Sequence, residues 1–472
     1  MYPSLFDHWY RSLYRYGMHY VRKFGYAFSF DWLHHVSIRR FVVALYRTIA
    51  RGIVWMGELL STLPPIALPL AMVAIFLSTF VYIKLRFPFW SSQPVFHTYD
   101  WWRYLCRQPY VVQSAPPPQH KHYDARVQTF EFFDLSRKDL KRLCEFMQCH
   151  WISTDQFFFT VTRSTLAAEF TGHSETPFVS IYWEPVAYTT PAPASTGAEG
   201  ASEKQIAGCI FSRPLRLRFS GTTADPISLY YLDYFCMNRE KPDPMIGRSL
   251  FQTHEYHQRT RNAQVAVSLL KKETDLCQGV VPLISYTTYL YAIPKRRVEK
   301  LPAGMSCVAI HDETVDVLVD FLQTVSQSTL FSCMAITDIS HLVGLVKAKE
   351  WFVFALRSRE DILAMYFFKN AHIRYESTDQ RTLQLVASVC NTTHPNVFYV
   401  GFLQAMKSLV REYAGTFGLL KIEDVGHNGR LVAQWKKETS TMPIIESESA
   451  YYLYNYVVPK SPMARESCLF LI

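Results

Sequence analysis

The sequence predicts an α/β fold of two similar halves in series, preceded by an N-terminal helical membrane segment. A strand followed by a helix occurs in residues 130–147, and the same order recurs in residues 306–325. Such repetition is typical of a duplicated fold unit. With 472 residues, 49% hydrophobic and 15% aromatic, the chain can bury a large core, and overall disorder is excluded.

Residues 1–58 form a basic, aromatic-rich region. They hold eight Lys or Arg residues against three acidic ones, in a chain of net charge +9. Because each basic residue near an anionic bilayer contributes about 1 kcal/mol, we expect this region to be helical and membrane-associated. A nucleic acid is the alternative partner for a basic patch. The sequence has no zinc-finger spacing, RNA-binding aromatic motif or cluster of basic residues, so we predict no nucleic-acid partner.

Residues 59–86 have the composition of a transmembrane helix. The eighteen residues from Ile66 to Ile83 carry no charge, which is just enough to cross a bilayer as a helix. The alternative is a buried core helix. The excess of basic residues before the span predicts a cytoplasmic N-terminus.

The cysteines predict the compartment of the main domain. Ten are scattered along the chain without a C-x-x-C motif, which indicates reduced thiols and no metal site. The main domain would then lie on the reducing, cytoplasmic side, the same side as the N-terminus, and an in-plane or hairpin anchor would permit this. The acid-poor, Arg-rich N-terminus leaves a mitochondrial membrane as the alternative.

The first half of the main domain contains a helix and two strands. Apolar residues at near-helical spacing predict a helix over 134–151, with Ser136 as its N-cap. Strands are predicted over 178–183 and 206–219, and the low-complexity stretch 189–204 between them is a surface insertion.

A strand, a turn and a helix follow in residues 228–262. The strand covers 229–237 and the helix opens near Met245, an order that can cradle a phosphate because free N–H groups at a helix start favour an anion. The turn itself reads KPDPM (241–245), whose prolines lack N–H donors and whose Asp243 is negative. The alternative interpretation is an ordinary N-cap with proline at the first helical position.

In the second half, the sequence predicts strands over 351–358, 361–371 and 450–458. It also predicts a helix followed by a strand within 397–425. The chain ends CLFLI without a polar tail. This ending predicts a terminal strand that is buried to its last residue.

Several of these segments resemble the glycylpeptide N-tetradecanoyltransferase (N-myristoyltransferase) family. The segment FWSSQPV (89–95) is similar to that family's F-W-x-x-Q-P-V motif, and DYFCMNRE (233–240), IEDVGHNGRLVAQWKKE (422–438) and AYYLYNYVV (450–458) resemble later elements. The resemblance covers residues 87–472. It implies two acyl-CoA N-acyltransferase (GNAT-like) lobes related by pseudo-two-fold symmetry. Residues 87–305 would be the acyl-CoA side and residues 306–472 the peptide side.

The resemblance also implies a reaction, the transfer of a fatty acyl group from acyl-CoA to the N-terminal glycine of a protein. Myristoyl-CoA or another acyl-CoA would be the co-substrate, without a tightly bound cofactor, and a protein N-terminus, or another protein partner, would be bound. Membrane lipid is the partner predicted separately by residues 1–86. The C-terminal carboxylate of Ile472 would be the base, and Thr287 would orient the amine. The backbone N–H groups of Tyr234 and Phe235 would stabilise the oxyanion, a contribution of about 3–4 kcal/mol.

The remaining site residues are also implied by the resemblance. Those for acyl-CoA are Phe89, Trp90, Arg239, Gly247 and Arg248. Those for the peptide are Asp233, Asp155 and Tyr452.

The sequence also departs from the family pattern. Asp233 replaces an Asn, the acidic peptide-binding loop is reduced to ISTDQFFF (152–159), and a segment after AIPKRR (292–297) is shortened. These changes favour the alternative of a catalytically inactive scaffold, or a subunit of a membrane complex, with the same fold. The FWSSQPV segment and the untailed C-terminus favour the enzyme, which is the first hypothesis.

Overall fold

The computed structural model describes Arg51 and residues 67–472, apart from residues 120, 153–155, 186–203, 221–224, 275, 295–296, 360, 377–378 and 440. The chain divides into two compact units, residues 1–86 and residues 87–472. Except for Arg51, the predicted membrane-associated region 1–58 therefore lies outside the described residues.

The described part of the first unit is helix α1, Ala67–Arg86. Large apolar side chains are exposed along it, among them Phe76 at 71% and Leu85 at 77%. Among the described residues, no helix is both long enough and apolar enough to cross a membrane. The predicted transmembrane helix over 59–86 is therefore not supported, and the described helix begins only at Ala67.

The second unit contains the remaining elements. Its helices are α2 (Arg137–His150), α3 (Arg163–Phe170), α4 (Pro244–Arg261), α5 (Val315–Gln327), α6 (Ile339–Lys347), α7 (Pro395–Glu412) and α8 (Asn428–Thr439). Its first nine strands are β1 (Tyr110–Val111), β2 (Val127–Glu131), β3 (Phe157–Phe159), β4 (Phe178–Pro185), β5 (Lys204–Phe219), β6 (Ile227–Met237), β7 (Ser268–Glu273), β8 (Ile284–Ala292) and β9 (Met305–Ile310). The others are β10 (Cys333–Ile336), β11 (Trp351–Ser358), β12 (Asp361–Tyr375), β13 (Gln380–Cys390), β14 (Phe417–Glu423), β15 (Ile445–Tyr454), β16 (Tyr456–Val457) and β17 (Cys468–Leu471).

Most of these strands join one mixed sheet of fifteen strands. Its main path runs β17-β10-β5-β6-β7-β15-β8-β14-β13-β12-β11-β9, with β4 on β5, β2 on β4 and β3 on β12, while β1 and β16 pair separately. Helices pack against this sheet, as α4 does on β5, β4 and β2. The predicted α/β class is confirmed.

The predicted duplication is visible in the order of the elements. The series β4-β5-β6-α4-β7 recurs as β11-β12-β13-α7-β14, and in both series the strand after the helix is parallel to the strand before it. Each connecting helix begins with a proline, Pro244 or Pro395, which suits a first helical position because its N–H would be unpaired there. The segments 130–147 and 306–325 correspond to β2-α2 and β9-α5.

The two halves exchange strands across residue 305. Strand β8 pairs with β14 and β15 of the second half, and β10 pairs with β5 of the first. Strand β17 lies parallel to β10, and Leu471 and Ile472 are 0% and 5% exposed. The C-terminus is therefore buried in the sheet that joins the halves, as the untailed ending predicts.

A gap opens between the parallel strands β6 and β7. They pair only over Tyr230–Leu232 and Ser268–Leu270, although β6 continues to Met237. The gap therefore lies at the carboxyl ends of parallel strands, where α/β folds commonly bind ligands.

In the second half, hydrogen bonds to side chains occupy the equivalent position between β13 and β14. Strand β13 stops pairing with β14 after Leu385. Beyond this point Ser388 donates to Asn428 Oδ1 at 2.7 Å, and the Cys390 N–H donates to His427 Nδ1 at 2.8 Å. The gap of the first half is therefore the candidate site.

Candidate functional site

A β-bulge lies on β6 beside this gap. Between Asp233 and Cys236, β6 places two residues, Tyr234 and Phe235, opposite the single residue Ile210 of β5. Tyr234 has φ 47°, a left-handed conformation that costs energy for a residue with a side chain. A bulge interrupts the ladder and redirects the backbone. The predicted oxyanion donors therefore lie at a break in strand pairing.

The side chain of Asp233 already binds one of these donors. The Tyr234 N–H donates to Asp233 Oδ1 at 2.9 Å, and Asp233 Oδ2 lies 3.5 Å from Arg213 Nη2. A carboxylate at this amide would repel an oxyanion, so Tyr234 does not present an open donor. The side chain of Phe235 is 41% exposed.

The Tyr234 side chain reaches α3, where its hydroxyl donates to Glu169 Oε2. Burial raises the pKa of Glu169 above its ordinary value, and the charge of Asp233 raises it further. Glu169 therefore keeps its proton to a higher pH than an exposed glutamate does.

The terminal carboxylate lies in the same region. Lys369 of β12 places its Nζ 3.4 Å from a terminal oxygen of Ile472. Burial lowers the pKa of Lys369, whereas the charges of Glu169 and Asp233 act in the opposite direction. The predicted base therefore has a cation as its neighbour, and both lie where the halves meet.

Further charged residues lie on β7 and β14. Lys271 Nζ lies 2.7 Å from Glu423 Oε1, which also accepts from Gln384 at 2.9 Å. Although burial lowers the pKa of Lys271, the charges of Glu273 and Glu423 raise it well above its ordinary value. Lys271 therefore stays protonated.

We call the following four ion pairs the central ion network. They are Arg213–Asp233, Lys369–Ile472, Lys271–Glu423 and Lys421–Glu273. Pairing within the network compensates part of the cost of burying its charges, which is several kcal/mol for each unpaired ion.

The residue predicted to orient the amine lies on a different face. Successive residues of a strand point to opposite faces of the sheet. On β8 the Tyr286 hydroxyl donates to Glu423 Oε2 at 3.1 Å, so Tyr286 faces the central ion network. Thr287 therefore points away from it.

The same alternation applies to the predicted peptide residue on β15. Tyr451 stacks on Phe470 of the terminal strand, with ring centroids 4.4 Å apart. Tyr452 points to the other face, where its hydroxyl accepts the Cys277 N–H at 3.2 Å. Asp155 lies outside the described residues.

The FWSSQPV segment packs on α4 and on β15. Phe89 and Trp90 have ring centroids 6.0 and 5.9 Å from that of Phe251. Gln93 Oε1 accepts the Tyr454 hydroxyl at 2.8 Å. Two of the segments that carry the sequence resemblance, 89–95 and 450–458, therefore contact each other.

At the start of α4, the structure shows the ordinary N-cap with proline at the first helical position, which was the alternative to a phosphate-binding turn. The Asp243 side chain accepts the Met245 N–H at 2.8 Å, and the Asp243 carbonyl accepts the Ile246 N–H at 3.1 Å. Pro244 has no N–H to offer. These residues do not fit a diphosphate, because two amides are in use and a carboxylate lies beside them.

The predicted acyl-CoA residues meet around this helix start. Gly247 lies in the first turn, and a Cβ at this position would be 2.6 Å from Met237 Sδ. Arg239 donates to the Ile152 carbonyl at 2.6 Å, and Arg248 Nη1 lies 3.8 Å from a methionine sulfur in the same turn. The structure brings Gly247, Arg239 and Arg248 together at one end of α4, with Phe89 and Trp90 one turn further along.

Four charged residues of the site were not predicted from the sequence: Lys369, Arg213, Glu423 and Glu169. A signal for the first three is present in the sequence: each is a charged residue within an apolar strand, in FFKN, FSRPL and LKIED. Charged residues are almost never fully buried unless they are paired. Among the described residues, no group of three or more His, Cys, Asp or Glu side chains could hold a metal ion.

Comparison with solved structures identifies the fold. The crystal structure of Saccharomyces cerevisiae N-myristoyltransferase with bound myristoyl-CoA matches with a TM-score of 0.55 and 10% identity, over 79% of this chain and 93% of that chain. A structure of the same yeast enzyme with myristoyl-CoA and inhibitors matches with a TM-score of 0.55 and 11% identity, over 80% and 92%. No protein-family model and no curated protein matches the chain.

These matches show that the chain has an N-myristoyltransferase-like fold, as the resemblance implies. At 10–11% identity they establish the fold alone. Function must therefore be argued from the site.

Proposed function

We propose that the chain is an N-acyltransferase that transfers a fatty acyl group from a thioester to the N-terminal glycine amine of a protein. The main supporting observation is the terminal carboxylate of Ile472, buried beside Lys369 where the two halves meet. Buried ionisable groups with shifted pKa values concentrate at functional sites. The fold supports the proposal, since the yeast enzyme of similar fold binds myristoyl-CoA.

In the proposed reaction the acceptor arrives as an ammonium and must lose a proton before its nitrogen can attack. The Ile472 carboxylate accepts that proton once the acceptor has displaced Lys369. The new C–N bond forms as the C–S bond of the thioester breaks, and the thiolate leaving group takes a proton from the amine. The Phe235 N–H, at the bulge, is the proposed oxyanion donor.

The test is acyl transfer by the full chain to glycine-terminated peptides, from thioesters of increasing acyl length. Deleting Ile472 moves the carboxylate by about 3.3 Å along β17, so we expect turnover to fall by about 100-fold or more. The control is Ile472→Val, which keeps the carboxylate in place and should retain turnover. Absence of transfer by a folded wild-type chain with every thioester would refute the proposal.

The second candidate function is a non-catalytic scaffold with the same fold. The observation that favours it is the Asp233 carboxylate on the Tyr234 N–H, which occupies a donor that acyl transfer would use. A scaffold predicts no transfer, and unchanged partner binding after deletion of Ile472. The same pair of variants therefore distinguishes the two functions.

We further propose that the chain works at a membrane, with its main domain on the reducing, cytoplasmic side, or alternatively at a mitochondrial membrane. Two observations support this: the exposed apolar side chains of α1, such as Ile75 at 66% and Phe76 at 71%, and the ten free cysteines. Sedimentation of the full chain with anionic vesicles is the test. The double variant Ile75→Ser/Phe76→Ser should weaken binding, and equal sedimentation of both chains would contradict the proposal.

A further inference from the structure

We infer that the start of α4 contributes no binding to the nucleotide diphosphate of CoA, so that the protein recognises its donor through the acyl-pantetheine part. The inference rests on the proposed function, because it assumes an acyl thioester donor. It concerns which part of that donor the protein recognises.

The first observation is that α4 begins with its donors in use. An unblocked helix start offers free N–H groups and a positive dipole end to an anion. Here Pro244 has no N–H, the Met245 N–H is bound by the Asp243 carboxylate, and the Ile246 N–H is bound by the Asp243 carbonyl. A diphosphate would have to displace a carboxylate that is fixed to the chain next to it.

The second observation is that apolar side chains cover the first turn of α4. A Cβ built on Gly247 would lie 2.6 Å from Met237 Sδ and 3.4 Å from Phe235 Cζ, so these two side chains cover the glycine. Phe235 and Met245 are 41% and 50% exposed. The surface over this turn is therefore thioether and aromatic, which suits an apolar chain better than a diphosphate.

The third observation concerns the two nearby arginines. Arg239 donates to the carbonyl of Ile152 at 2.6 Å, and the Arg248 guanidinium approaches the Met245 sulfur at 3.8 Å. Both side chains therefore have contacts within the protein. A bound diphosphate would need them to leave these contacts.

The gap itself still suits an extended arm that contains amide groups. Strand β6 continues past its last pair with β7, at Leu232, to Met237. A strand edge released from its neighbour presents N–H and C=O groups to an added extended chain. The amides of a pantetheine arm can pair there, and the bulge at Tyr234 lies beside it.

The test measures how much the nucleotide adds to binding. Titration calorimetry of the full chain compares myristoyl-CoA, myristoyl-pantetheine, which has no phosphate, and CoA without an acyl group. We expect the two acyl ligands to bind within about threefold of each other and CoA alone to bind far more weakly. Myristoyl-CoA binding more than about threefold tighter than myristoyl-pantetheine would overturn the inference.

A variant that reopens the helix start tests the cause. Asp243→Gly/Pro244→Ala removes the carboxylate and restores an N–H, so affinity for myristoyl-CoA should rise about tenfold while that for myristoyl-pantetheine, which has no phosphate, stays constant. Asp243→Asn is the matched control, because it keeps a capping side chain and removes only the charge. No gain for myristoyl-CoA in the double variant would overturn the inference.

These outcomes are distinguishable from failure of the proposed function. If a folded chain binds neither acyl ligand, both the proposed function and this inference fail. If both ligands bind and only the nucleotide preference is wrong, the proposed function stands. The arm can come from acyl-CoA or from an acyl carrier protein, and transfer rates from each donor identify the source.

Discussion

Lys369 interrupts the apolar run AMYFFKN in β12, and its ammonium lies 3.4 Å from the terminal oxygen of Ile472. The Lys369 side chain carries an ammonium group, as does the N-terminus of a protein acceptor. The carboxylate that we propose as the base is therefore already neutralised by an internal cation. An acceptor must compete with Lys369 before it can transfer its proton.

The variant Lys369→Met removes this competitor. We expect the KM for a glycine-terminated peptide to fall about tenfold, because the carboxylate then attracts the acceptor ammonium without opposition. Lys369→Arg keeps a cation and should leave KM near the wild-type value. Steady-state transfer kinetics at a fixed thioester concentration give the measurement. A fall in kcat at constant KM would instead assign Lys369 a part in the chemistry.

A second residue pair, Gln93 and Tyr454, joins two of the segments that carry the resemblance, 89–95 and 450–458. Tyr454→Phe removes the donor to Gln93 Oε1, and a buried acceptor left without its partner costs about 1–3 kcal/mol. Denaturant unfolding measures the loss. In a double-mutant cycle, Gln93→Leu should cost less when it is added to the Tyr454→Phe variant than when it is made alone. Strict additivity of the two substitutions would show that the contact contributes nothing.

At the scale of elements, α4 is unusual because its polar residues are buried. Six of them are 0–3% exposed: Gln252, Thr253, His254, Glu255, Gln258 and Arg259. Burial raises the pKa of Glu255 from 4.5 to about 7, and Ser268 and Arg259 only partly oppose this effect. The folded protein therefore keeps a proton on Glu255 at pH values where the unfolded chain has lost it.

Glu255 consequently makes stability depend on pH. Because the folded pKa is the higher one, the contribution of Glu255 is fully present below pH 4.5 and is lost as pH rises to about 7. The free energy of unfolding should fall by about 3 kcal/mol over this window relative to Glu255→Gln. Urea unfolding at several pH values measures the difference. The exposed Glu145→Gln variant is the control, and parallel pH curves for wild type and Glu255→Gln would contradict the argument.

The sequence predicts individual elements better than it predicts the site. Helix α2 starts after Ser136, which accepts the Asp139 N–H, and α4 starts at Pro244, because caps and prolines act locally. Thr287 and Tyr452 show the limit of such reasoning. A position shifted by one residue along a strand lies on the other face of the sheet, and only the three-dimensional pairing shows which face meets the terminus.

At the scale of the whole molecule, local patterns predict the duplication but not the exchange of strands. Periodicity and turns indicate that the strand–helix order of residues 130–147 recurs in residues 306–325, since each element is a local feature. Pairing of β10 with β5 joins residues more than a hundred positions apart, and no sequence spacing reports it. Two pairs of the central ion network, Lys271–Glu423 and Lys421–Glu273, were missed for the same reason, because each joins a strand of one half to a strand of the other.

This shared sheet predicts that residues 87–472 unfold as one unit. Phe211 and Phe402 are both 0% exposed, one in each half, and replacing either with Ala should cost about 3–5 kcal/mol. If β8, β10 and β17 couple the halves, each variant lowers the Tm of one common transition, with equal calorimetric and van't Hoff enthalpies. Scanning calorimetry of the full chain, beside Phe211→Leu and Phe402→Leu as milder controls, makes the measurement. A separate transition moved by only one of the two Ala variants would mean that the exchanged strands do not couple the halves, and the terminal carboxylate would then lie between two independently opening lobes.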